Sequence, residues 1–127
     1  MKAMQKKIEK VLETAFADHD DSSWSVYDCG EKGGCYELSG YSPAGENVVI
    51  TVRGRTFSEL ADDAEDAWNA FDADTHAAEI CTAKNSGNPD MERFYAAAPD
   101  SLRDLQEDAE AIDKMYERVY EAFRAAA

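Results

Sequence analysis

Long apolar runs are absent from this sequence. None approaches the roughly 18 residues of a membrane span, so no spanning helix is expected. Lys2, Lys6, Lys7 and Lys10 crowd the first ten residues, but no apolar segment or small-residue cleavage site follows them, which argues against a secretory signal. Cysteine is scarce and odd in number. Cys29, Cys35 and Cys81 make no disulfide framework, and a reducing cytoplasm is the expected compartment. Glycine-rich phosphate cradles are missing too: Lys32-Gly33-Gly34 and Arg53-Gly54-Arg55 are short and do not continue into a P-loop. The last shortage is positive charge. Thirteen Lys and Arg stand against 27 Asp and Glu, giving a formal charge of −14 and a pI near 4.4, which disfavours direct binding to nucleic acid or an anionic bilayer. Partners should be basic, or absent.

What is present reads as one α+β domain over residues 1–127, long enough to close a single core. Met4, Ile8, Val11, Leu12 and Phe16 recur at helical spacing with lysines opposite, predicting an amphipathic helix within 1–17. Residues 18–23 break that period with cap- and turn-forming side chains. A β-meander is expected over 24–53, with strands at Trp24–Cys29, Cys35–Tyr41 and Asn47–Arg53 joined by short glycine-bearing turns. Setting Cys29 opposite Cys35 places Val26 against Leu38. It leaves Trp24, Val26, Tyr36 and Leu38 on one face and Tyr27 and Glu37 on the other, and Val48, Ile50 and Val52 should join the buried side. The period then lengthens to about 3.6 residues, opening a helical half over 56–125. Thr56-Phe57-Ser58-Glu59 reads as a capping box ahead of the stripe Phe57, Leu60, Ala64, Trp68 and Phe71. A shorter helix is expected from Asp72, and Asn88-Pro89 reads as a cap and first turn of a brief one. From Ser101 to Ala125, Leu102, Leu105, Ala109, Ile112, Tyr116, Val119 and Phe123 step by three and four without a slip. The order is α-β-β-β-α-α-α-α, a three-stranded antiparallel meander packed against helices.

Most of the acidity lies between Phe57 and Asp113, where 16 Asp/Glu face only Lys84, Arg93 and Arg103. At about 100° per residue, Glu59, Asp62 and Asp66 fall opposite the apolar stripe of their helix, with Asp63 and Glu65 flanking. In the last helix Asp104 and Glu107 oppose the seam, Asp100 extends the row, and Asp108, Glu110 and Asp113 lie nearer its edges. All are expected at the surface. Carboxylates three or four positions apart are separated by about 5–6 Å, against about 3.4 Å per nucleotide for DNA phosphates, a mismatch that long Lys and Arg side chains tolerate. A rigid acidic strip of Glu59, Asp62, Asp63, Asp66, Asp104 and Glu107 is therefore the expected partner-binding surface. It would occupy a basic groove built for nucleic acid and inhibit by occlusion. The plain alternative is a solvated or salt-adapted surface, in which acids near helix starts meet the positive end of the helix dipole. That accounts for Glu59, Asp72, Asp74 and Asp100 and extends to Asp104, but not to Asp62, Asp63 and Asp66, which repel one another in later turns.

Other constellations are weak. Cys29, Cys35, Cys81, His19 and His76 lack zinc-ligand spacing, and acidic surroundings would raise a thiol pKa instead of activating it. If Cys29 and Cys35 face each other on the outer side of the sheet, oxidation could join them. Asp18-x-Asp20-x-Ser22 imitates the start of a calcium loop, but Ser23 stands where the turn glycine belongs and Cys29 where the bidentate glutamate belongs. His76 and Glu79 share a helix face, half of a di-iron motif without the other half. No catalytic residue, cofactor or metal is expected, and the chain reads as non-enzymatic.

Three segments resemble parts of small acidic proteins carried by bacteriophages and mobile elements of gut bacteria: Tyr41-Ser42-Pro43-Ala44-Gly45-Glu46, Phe71-Asp72-Ala73-Asp74-Thr75-His76-Ala77-Ala78 and Leu105-Gln106-Glu107-Asp108-Ala109-Glu110-Ala111-Ile112. The likeness covers roughly residues 24 to 115 and keeps the segments in order. It implies a setting of phage–host conflict, in which some acidic proteins of this size inhibit CRISPR or restriction enzymes by mimicking DNA, and it implies no catalytic residues. The expected partner is then a basic, nucleic-acid-binding host defence protein. The alternative is a small structural or assembly protein that self-associates through its C-terminal helix.

Overall fold

The computed structural model describes residues 2–17 and 24–127. Its elements are α1 (Lys2–Ala15), β1 (Ser25–Asp28), β2 (Cys35–Tyr41), β3 (Asn47–Arg53), α2 (Phe57–Ala70), α3 (Ala73–Lys84), α4 (Pro89–Phe94) and α5 (Leu102–Ala126). This is the expected α+β order, and the strands form one antiparallel sheet, β1-β2-β3. No helix among the described residues is long and apolar enough to cross a membrane.

Register follows the period-two pattern. Val26 pairs with Leu38 and Tyr36 with Val52, while the Cys29 N–H donates to the Cys35 carbonyl at 2.9 Å and closes the first hairpin. One sheet face therefore collects Val26, Tyr36, Leu38, Val48, Ile50 and Val52. Helices cover that face: Ile8, Leu12 and Phe16 come from α1, Leu60, Ala61 and Ala64 from α2, and Ile112, Met115, Val119 and Phe123 from α5. A smaller core, built from Ala77 and Ile80 of α3, Ala98, and Leu105 and Ala109, lies along the first turns of α5. From Leu105 to Phe123 the α5 seam is thus spent inside the molecule, while Leu102 at its start stays exposed.

Each later helix starts on a cap legible in the sequence. Thr56 Oγ1 accepts from Glu59 N–H at 3.2 Å, Asp72 Oδ1 from Thr75 N–H at 3.1 Å, Asn88 Oδ1 from Asp90 N–H at 3.0 Å, and Ser101 Oγ from Asp104 N–H at 3.1 Å. Glu59 reaches one residue beyond the cap, accepting from Arg55 N–H at 2.9 Å. Ring pairs set the direction of α2 against α5. Phe57 meets Phe123, Trp68 stacks on Tyr120 and Phe71 on Tyr116, so the two helices run antiparallel.

The sheet and α2 are joined at Gly34. Its backbone accepts from Gly54 N–H at 3.1 Å, its φ is +82°, and a Cβ there would lie 2.1 Å from the Gly54 carbonyl oxygen. Gly87 has a similar φ of +75° with nothing near. Gly87→Ala should cost about 1 kcal/mol for the left-handed conformation alone, whereas Gly34→Ala adds the clash and should cost about 3 kcal/mol or more in denaturant unfolding. Equal losses would mean that the Gly34–Gly54 contact contributes nothing.

Candidate functional site

Four of the six anticipated contact acids line α2. Asp62 Oδ1 accepts from Arg124 Nη2 at 2.8 Å, and among the described residues this pair is the one place on the α2 part of the strip where a cation answers the charge. Asp63 Oδ2 accepts from Arg53 N–H at 2.7 Å, which ties the end of β3 to the helix. Glu59 is held by Arg55 N–H and lies 3.4 Å from Thr56 Oγ1. Asp66 is exposed. The guanidinium groups that might have neutralised this strip go elsewhere: Arg53 to Glu31 at 3.5 Å, and Arg55 to the Lys32 carbonyl at 2.6 Å from Nη2. Because a backbone N–H carries no net charge, Glu59 and Asp63 keep theirs while losing rotational freedom.

Asp104 and Glu107 are exposed as well, with Glu107 3.6 Å from Arg103. They do not join the α2 group. Asp62 sits beside Arg124, and twenty residues of α5 separate Arg124 from Asp104, about 30 Å at 1.5 Å per residue. The anticipated surface is therefore two acidic zones at opposite ends of one helix. Asp100, expected to extend the row, is paired with Lys84 Nζ at 2.8 Å, a contact that holds its carboxyl below the usual range.

Asp108 corrects the sequence reading. Placed at the edge of the acidic face, it is instead buried, with only 5% of its surface accessible. Ser42 Oγ donates to its Oδ2 at 3.0 Å and Ala44 N–H to its Oδ1 at 3.2 Å, so the β2–β3 turn is fastened to α5 across 66 and 64 residues of chain. Ser42 Oγ in turn accepts from Glu46 N–H at 3.0 Å. Glu46 Oε1 lies 3.2 Å from His76 Nε2 on α3, and its Oε2 is buried without a hydrogen-bond donor if both carboxyls are ionised. A proton on Asp108 supplies that donor. Burial first, then the contact with Glu46, pushes the Asp108 carboxyl up to about 6. Burial also pushes Glu46 upward, but hydrogen bonds from His76 and Asp108 outweigh it and leave its carboxyl below the ordinary value. The Glu46 contact raises His76 above its ordinary 6.5 despite burial. His76 is thus half of no di-iron motif; its ring turns to Glu46, with Phe71 packed 5.2 Å away. The group carries acid–base residues, but Ser42 and Asp108 are buried, and its hydrogen bonds close the turn on itself and join it to two helices.

The cysteines are free thiols. Cys35 was placed on the open outer face of the sheet, yet it is buried, flanked by Cys29, Glu31 and its cross-strand neighbour Arg53. Burial, with the Cys29 contact and the Glu31 charge, pushes its thiol up to about 11, the opposite of activation. Among the described residues no group of three or more His, Cys, Asp or Glu is arranged to hold a metal ion. His19 and the calcium-like Asp18-x-Asp20-x-Ser22 run lie outside the described residues. No family model matches the chain, and the searches of curated proteins and of solved structures find no match.

The Asp108 joint has a definite pH signature. Unfolded, Asp108 titrates at its ordinary 3.8 and folded at about 6, so its contribution to stability is full below 3.8 and is lost as pH rises to about 6. His76, also raised, loses its contribution above 6.5. Glu46, lowered, loses its own as pH falls below 4.5. Asp108→Asn keeps an acceptor for Ser42 and a donor for Glu46 without the titration. Relative to wild type its unfolding free energy should improve by about 1–2 kcal/mol between pH 4 and pH 7, measured by urea titration. A difference constant across that range would mean that Asp108 and Glu46 share no proton.

Proposed function

We propose that this chain is a non-enzymatic acidic binding protein whose α2 face docks on a basic, nucleic-acid-binding surface of a host defence protein and blocks it, as an inhibitor of the DNA-mimic, anti-CRISPR or antirestriction type. The observation that carries the reading is local. Glu59 and Asp63 are fixed by neutral backbone donors, Asp66 stands exposed in the next turns, and only Asp62 meets a cation. Side chains already held in place lose less freedom on binding, and carboxylates left uncompensated within a formal charge of −14 attract a cationic surface at long range. The likeness of three segments to acidic phage and mobile-element proteins supplies the setting. Asp104 and Glu107, about 30 Å along α5, form a second contact zone for a partner large enough to reach both.

Self-association through the apolar side of the C-terminal helix is the less favoured reading, because Leu105, Ala109, Ile112, Val119 and Phe123 are all buried in the chain's own cores.

Capture of the partner from host lysate should weaken steeply between low and high salt and should be competed by duplex DNA. Reversing Asp62 and Asp66 together to Lys should reduce capture about tenfold or more, a loss of about 1.4 kcal/mol at least. The same reversal at Glu13 and Glu37, exposed on α1 and on the outer sheet face, should change it little. Glu46 cannot serve as a silent control, since it belongs to the buried joint. Equal losses from the two pairs would reject the α2 face.

A further inference from the structure

A cationic, apolar-floored groove lies between α1 and the C-terminal half of α5, with a cavity of about 780 Å³. Val11 and Ala15 of α1, Ala122 and Ala125 of α5, and Phe57 at the start of α2 line it. Lys7 and Lys10 stand on its α1 rim, both exposed and both without an acidic partner among the described residues. Arg118 also lines it but is engaged, donating to the Ala15 carbonyl at 3.2 Å with its guanidinium over Phe16. Glu121 is the single acid of the lining.

Helix α4 shows the converse surface. Phe94 is 80% exposed and Met91 41% exposed, three residues apart on this helix. Large apolar side chains at that spacing in water are what a docking knob looks like. The helix that carries them is acidic: Asp90 and Glu92 flank Met91 in sequence, with Arg93 3.9 Å from Asp90.

We infer that the α1/α5 groove receives the α4 knob of a second copy of this chain. Phe94 and Met91 would enter the apolar floor, with Asp90 and Glu92 beside Lys7 and Lys10 and Arg93 as the counterpart of Glu121. Both halves of the match are present in one sequence, so a copy of itself satisfies the groove's apolar and cationic character without a further component. Phe94, four-fifths exposed, does not line the groove of its own chain, which leaves that groove open to another copy. The contact is therefore head to tail and leaves one free end of each kind, so assembly continues unless a ring closes. A six-residue helix buries less than a standard interface, and the net charge of each copy opposes association. The affinity should be weak, on the order of 10⁻⁴ M.

Sedimentation velocity of the full chain at physiological salt, where the Debye length is about 8 Å and long-range repulsion is screened, should show mass rising with concentration. Phe94→Ser should weaken association about tenfold or more, and Lys7→Glu with Lys10→Glu should do the same. All three positions are surface side chains, and circular dichroism should show both variants folded. Mixing the two variants gives the deciding measurement. The knob-deficient chain retains a groove and the groove-deficient chain retains a knob, so the mixture should form 1:1 heterodimers that grow no further. A chain that stays monomeric up to millimolar concentration overturns the inference, as does association that both variants leave unchanged. Mixed variants that fail to pair overturn it too, because the two losses would then not lie on opposite sides of one contact.

Discussion

Burial of the α5 seam on both of its ends is the constraint from which the arrangement follows. Seven apolar side chains at steps of three and four make a stripe too long for one small sheet to cover. The sheet, α1 and α2 bury Ile112, Val119 and Phe123, with Tyr116 packed against them, Leu105 and Ala109 need a second cover, and Leu102 stays exposed. α3 supplies it with Ala77 and Ile80, small and medium side chains that let two helices approach closely. Once α2 is fixed antiparallel to α5 by the Phe57–Phe123, Trp68–Tyr120 and Phe71–Tyr116 ring pairs, the short Phe71–Asp72 link leaves α3 nowhere to go but the exposed end of α5.

The Asp108 joint sits where those two covers meet, one turn from Ile112 in the larger core and adjacent to Ala109 in the smaller. A carboxyl at such a place is costly unless every lone pair is matched. The β2–β3 turn brings Ser42, Ala44 and Glu46 to it, and α3 adds His76. Below about pH 6 a proton on Asp108 leaves one negative charge where two carboxyls meet, and the His76 ring faces Glu46, so the burial costs less than two bare carboxylates would. The same contacts fasten the turn to both helices, and they explain why Ser42 is buried inside a loop that otherwise faces solvent.

Much of the architecture was legible because local rules dictate it. Period-two alternation set the strands and the register of Val26 against Leu38, and Thr56, Asp72, Asn88 and Ser101 announced their helices. The strands and helices shifted by one or two residues at their ends, where fraying and caps blur any boundary. Legibility stopped at contacts between distant segments. On a helical wheel Asp108 is an edge residue like Glu110 and Asp113, and nothing within its own helix says that a turn 64 residues earlier will close over it. Cys35 was misread for the same reason: alternation gives its face correctly, but Arg53 and Glu31 enclose it. The six acids on α2 and α5 were rightly placed at the surface, yet a wheel drawn for each helix separately carries no information about the 30 Å between them.

The distribution of charge is less wasteful than its total suggests. A chain at −14 destabilises its folded state through self-repulsion, most strongly where carboxylates crowd. Several are consumed internally: Glu59 and Asp63 by backbone donors at the β3–α2 junction, Asp62 by Arg124, Asp100 by Lys84, and Asp72 as a helix cap. These contacts offset repulsion where the fold needs its segments joined. Asp104 sits in the first turn of α5 and meets the positive end of its helix dipole. Asp66 has no such role, and it adds repulsion and low helix propensity to an exposed later turn where Ala, Lys or Gln would serve the helix better. Acids that hold the molecule together need no external explanation. Asp66 weakens α2 without any internal return and is where selection by a partner has the most to explain, and it stands on α2 beside other acids already locked in position.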